Sequence, residues 1–80
     1  MFQRLSKDIN INLSQETINQ LNNKLNAIKQ IKDIVDANVI NIFNKDNVTV
    51  YTVRYYLTDT KQFNSNDLEN IAKQVEQAIN

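Results

Sequence analysis

The chain has 80 residues, nine basic against nine acidic for a formal net charge of zero, and no glycine, proline, cysteine, histidine or tryptophan. Without histidine or cysteine it has no imidazole base, no thiolate nucleophile and no zinc site of the usual ligands, and without glycine no phosphate-cradling loop, whose turns need a residue lacking Cβ. The balanced charge lacks the basic excess with which nucleic-acid binders displace counterions, which argues against nucleic acid as a partner.

In chain order, Ile9-Asn10-Ile11-Asn12-Leu13 alternates apolar and polar residues and predicts a short half-buried strand. Ser14 stands as an N-cap, with Glu16 placed favourably against the helix dipole. Ile18, Leu21, Leu25, Ile28, Ile31 and Ile34/Val35 then recur at steps of three and four, predicting an amphipathic helix of about 20 residues. Around Asp36 the period changes to two. Val39-Ile40-Asn41-Ile42-Phe43 predicts a second strand, and Val48 to Leu57 a longer third. Between them Asn44-Lys45-Asp46-Asn47 is a tight turn, in which Asp and Asn tolerate positive φ in place of glycine.

On the long strand Tyr51, Val53, Tyr55 and Leu57 form the more uniformly apolar face and are read as core-facing. A polar loop from Thr58 to Ser65, anchored by Phe63, leads to a capping box of Asn66 and Glu69. Leu68, Ile71, Ala72, Val75, Ala78 and Ile79 complete a second helical stripe. The order β-α-β-β-α over residues 1–80 predicts a single α+β domain. It is a two-layer sandwich, with two helices on one face of a small, mostly antiparallel sheet.

The 41% hydrophobic and 22% charged content is that of a folded globular chain. A domain of this length buries only roughly 60–65% of its unfolded surface, so self-association is expected to reinforce its core. Asparagine, the commonest residue, interleaves regularly with apolar positions, as AT-rich coding produces and a prion-like tract does not. The N-terminus has no apolar core of signal-peptide length, and no apolar run approaches the ~20 residues of a membrane span. With no cysteine to pair, the expected location is the cytoplasm. Asn12 and Asn47 head Asn-x-Ser/Thr triplets, read as chance occurrences.

Asp33 and Asp36 form the one candidate acid pair, at the predicted C-terminal end of the first helix, where carboxylates oppose the dipole. The pair lacks a nucleophile, a base and an oxyanion donor, so both are read as solvated turn residues, and Asp59 and Asp67 as ordinary loop and first-turn acids. No catalytic residue, metal site or cofactor is expected. Arg54 with Tyr51 and Tyr56 offers an alternative, a small RNA-associated module, although its tyrosines divide between the two strand faces. The more informative feature is the strand face turned from the helices. It carries Val48, Val50, Thr52, Arg54 and Tyr56, a candidate interaction surface for a protein partner or a second copy, by sheet face or edge.

Three stretches resemble the bacterial alkaline-shock-protein family. Ile9-Asn10-Ile11-Asn12-Leu13-Ser14-Gln15-Glu16-Thr17-Ile18 is similar to its opening "I-x-I-S-x-E-x-I" segment. Asp46 to Tyr55 is similar to its long second strand, and Asp67 to Ile79 to its closing helix. The chain departs from that pattern in having Ile34-Val35 where the family usually has Gly-Val, and Tyr56-Leu57-Thr58 where it usually has Tyr-Gly. The resemblance implies a non-enzymatic bacterial cytoplasmic protein linked to cell-envelope homeostasis and stress. Members of the family self-associate or are held at the membrane by an anchored partner. Two other families of this topology fit less well: a KH domain needs a Gly-x-x-Gly loop, and the cytoplasmic domain of cation diffusion facilitators usually binds metal through histidine.

Overall fold

The computed structural model describes residues 2–13 and 18–80. These form β1 (Ser6–Leu13), α1 (Ile18–Lys29), β2 (Ile34–Lys45), β3 (Val48–Leu57) and α2 (Ser65–Ile79), the order expected from the sequence. The expected cap at Ser14 and the first-turn acid Glu16 lie outside the described residues, as does the side chain of Ile18.

β3, rich in valine, tyrosine and threonine, is the central strand. The sheet order is β1-β3-β2, and both neighbours run antiparallel to it. Both helices cover one face of this sheet. Leu21 and Ile28 of α1 and Ile71 and Val75 of α2 meet Ile11, Leu13, Ile34, Ala37, Val53, Tyr55 and Leu57 in one buried cluster. As the alternation predicted, Val53, Tyr55 and Leu57 are buried, and Tyr51 packs half-buried against the cluster. Burial pushes the Tyr55 hydroxyl pKa up, and the nearby Glu76 carboxylate adds to the effect. The helices are tied together by Lys24, whose Nζ donates to the Ile79 carbonyl at 2.6 Å. This places a cation on the unpaired carbonyl end of α2.

α1 is shorter than its apolar spacing suggested, ending at Lys29 rather than continuing to Ile34/Val35. In the turn that follows, Asp33 adopts φ 75°, a left-handed conformation that no helix running on to Ile34 could contain. Contacts from distant residues hold it there: its carbonyl accepts from the Thr58 amide at 2.9 Å, and its carboxylate pairs with Lys61 Nζ at 2.8 Å. Lys61 also lies over the Phe63 ring, 5.1 Å from its centre, and Phe63 anchors the loop on the core as expected. Ile34 therefore buries from a strand, opposite Leu57, and Val35 is exposed.

Strands β1 and β2 run longer than their apolar alternation, because pairing with β3 carries polar residues such as Ser6, Asp36 and Lys45 into the ladder. The hairpin closes at the Lys45–Val48 pair through Asp46 (φ 51°) and Asn47 (φ 66°), a two-residue turn with both central φ angles positive. The capping box lies two residues earlier than expected. The Asn64 side chain accepts from the Asp67 amide at 2.9 Å, and the Asp67 carboxylate accepts from the Asn64 amide at 3.2 Å. Asn64-x-x-Asp67 and Asn66-x-x-Glu69 have the same spacing. The extended backbone of Asn64 (φ −95°, ψ 178°) selects the first.

A strand of twelve residues spans ~40 Å, whereas helices of 12 and 15 residues span only ~18 and ~22 Å. The molecule is accordingly elongated, 42 × 18 × 18 Å. At the hairpin end, residues 40–47 are all exposed.

Candidate interaction surface

Each residue of the outer sheet face is set by the register of its strand. Tyr56 lies between Ser6 and Asp36, Arg54 between Asp8 and Asn38, and Thr52 between Asn10 and Asn41. Val50 lies between Asn12 and Phe43, and Val48 opposite Lys45. All five predicted surface residues, Val48, Val50, Thr52, Arg54 and Tyr56, are half-buried on the face away from the helices.

The middle of this face is a satisfied polar ladder. Arg54 donates from Nε and Nη2 to the two Asp8 oxygens at 2.8 and 3.3 Å, and Thr52 Oγ1 donates to Asn10 Oδ1 at 2.9 Å. The hydrogen bond from Arg54 is the main reason the Asp8 carboxyl is held below its usual range, partial desolvation opposing it and the guanidinium charge assisting. The same bond raises the Arg54 pKa, with smaller contributions from the Asp8 charge and Tyr56. These polar rows divide the apolar strip expected from the sequence. Tyr56 stands at one end, and Val48 and Val50 join Phe43 at the hairpin end.

The feature that sequence reasoning missed is on β2, which among the described residues is an edge strand paired only with β3. Among the described residues, the exposed large hydrophobics are Phe2, Val35, Ile40, Ile42 and Phe43, and all but Phe2 belong to β2. The ladder skips at Val35 and again at Ile40, each an extra residue with no partner on β3. The consecutive apolar pair Val39-Ile40 was the signal for the second skip. It breaks the alternation, but only the register against β3 shows that the break is a bulge.

The other candidates are separated by the fold. Asp33 is taken up by Lys61, while Asp36, on β2, accepts from the Ala37 amide at 2.9 Å and the Asn38 side chain at 3.4 Å. Tyr51 packs on the core side and Tyr56 on the outer side, with Arg54 held by Asp8 between them. Among the described residues, no three His, Cys, Asp or Glu side chains gather to hold a metal ion, and no helix is long and apolar enough to cross a membrane. No protein-family model matches the chain, and no curated protein matches it.

Proposed function

We propose that the protein is a non-enzymatic interaction or scaffold protein that associates through the face or edge of its sheet, with a second copy or a protein partner. The observation that carries this reading is the placing of exposed apolar side chains: among the described residues, all the exposed large hydrophobics but Phe2 lie on β2, an edge strand, most of them toward its hairpin end. An edge with free backbone donors and acceptors beside exposed apolar groups is a template for another strand. The small core adds a reason to associate, since burying those side chains against a neighbour supplies stability that a domain of this size lacks alone.

The resemblance to the alkaline-shock-protein family supports the same reading. It extends the proposal to envelope homeostasis or stress in a bacterial cytoplasm, with a membrane-anchored partner as a further occupant of the surface. The left-handed Asp33 supports that resemblance as well. It follows α1 close to where the family usually carries glycine, and Asp is among the few other residues that accept this conformation. The RNA-associated alternative is weaker, because Arg54 is engaged by Asp8 and the flanking tyrosines share no face.

The test is light scattering over a range of concentrations, for the wild type and for Val50→Glu. An oligomer is expected, weakened by Val50→Glu where the sheet face takes part. A strict monomer at high concentration would overturn the proposal, and salt-dependent binding to single-stranded RNA would favour the alternative.

A further inference from the structure

β2 contains two charged residues, Asp36 near one end and Lys45 at the other. Nine positions separate them, an odd number that would put them on opposite faces of a regular strand. The extra residue at Ile40 corrects the phase. Asp36 lies opposite Tyr56 and Lys45 opposite Val48, so both stand on the outer face.

We propose that β2 pairs antiparallel with β2 of a second copy, about a twofold axis at the bulge, with Asp36 facing the partner subunit's Lys45 and Lys45 facing the partner subunit's Asp36. This deepens the association proposed above and rests on it. A twofold contact is isologous, so one complementary pair of charges is used twice. Opposite charges facing each other across an antiparallel pair are favourable, and like charges are not.

The register that brings these charges together also keeps the two faces matched. Val39, on the helix side, meets the partner subunit's Ile42, and Ala37 meets the partner subunit's Asn44. On the outer side Asn38 meets the partner subunit's Phe43. Ile42, 59% exposed in the single chain, thereby gains a neighbour that is itself packed on a core. The result is a continuous six-stranded sheet, in which the two β2 edges are no longer free.

The bulge also selects the occupant. A bulge normally guards an edge, because a regular incoming strand cannot match the extra residue. A second copy carries the same extra residue at the same place, so at this axis Ile40 faces the partner subunit's Asn41 on both strands. The strand best suited to β2 is another β2.

Sedimentation equilibrium with charge-reversed variants tests the register, far-UV circular dichroism verifying that each variant is folded. The wild type is expected to dimerise, and Asp36→Lys and Lys45→Asp each to weaken the dimer roughly tenfold or more by turning both attractive pairs repulsive. The double variant Asp36→Lys/Lys45→Asp should dimerise like the wild type, as should an equimolar mixture of the two single variants. A dimer unmoved by either reversal, or single variants that neither mixing nor the double change restores, would overturn the pairing. If Val50→Glu dissociates such an unmoved dimer, the sheet face is the interface and the proposed function stands. A monomer throughout overturns both.

Discussion

Arg54 on the central strand and Asp8 on β1 meet across the outer face in a two-point contact, Nε and Nη2 lying 2.8 and 3.3 Å from the two carboxylate oxygens. Both side chains remain close to half exposed, so the contact orients the face more than it stabilises the fold.

The pair nonetheless sets a pH dependence. A carboxyl whose pKa falls on folding contributes stability above its unfolded value and loses it as the pH drops through the folded one. For Asp8, lowered chiefly by the Arg54 hydrogen bond, the contribution is complete at neutral pH and is lost below about pH 4. In an NMR titration, Arg54→Gln should raise the Asp8 midpoint toward the ordinary carboxylate range. An unmoved midpoint would show that the guanidinium does not hold the carboxylate.

The hairpin turn gives a second prediction. Asn47 has φ 66°, where a β-branched side chain clashes with its own backbone. Asn47→Val should cost about 1–2 kcal/mol in urea unfolding, whereas Asn47→Gly should leave the midpoint unchanged or raise it. Equal effects from the two changes would mean that the turn does not demand a left-handed residue.

The start of α2 can be located by a pair of alanine substitutions. Asn64→Ala removes the side chain that accepts from the Asp67 amide and should cost about 0.5–2 kcal/mol. Asn66→Ala, inside the first turn and exposed, should cost under about 0.5 kcal/mol. The reverse ranking would move the cap to Asn66.

The core makes the largest claim on stability. Leu57 is fully enclosed among the helices and strands, and Leu57→Ala should cost about 2–5 kcal/mol. That is a large part of the ~4–12 kcal/mol typical of a chain this long. Val35→Ala, at a bulge residue that is 50% exposed, should stay within about 0.5 kcal/mol. Comparable losses in the two variants would contradict the placement of the core.

The bounds of β3 and its core-facing residues were legible because Val48 to Leu57 alternates without a break, and Asp46-Asn47 marks the turn before it. The candidate surface was legible only in part. Alternation placed Val48, Val50, Thr52, Arg54 and Tyr56 on one face, but the partners that divide them, Asp8 and Asn10, are more than forty residues away. The spacing of Val39 to Phe43 marks a strand, but not that it lies at the edge with Ile40, Ile42 and Phe43 exposed. Edge position depends on which strand takes the centre, and no local pattern carries that information.

By itself, the sequence determined the kinds and order of the elements and the inner side of β3 and of both helices, because burying one face against a single core demands a period of two in strands and 3.6 in helices. Tertiary structure alone decided where α1 stops, which asparagine caps α2, and that Asp36 and Lys45 share a face. The Asp33 and Asp36–Lys45 arrangements come from contacts and register across distant segments, Asp33 with Thr58 and Lys61, and β2 against β3 with Ile40 left over. The cap comes from the backbone that the packed loop adopts at Asn64. A stripe of apolar spacing is satisfied by several such arrangements, and packing chooses among them.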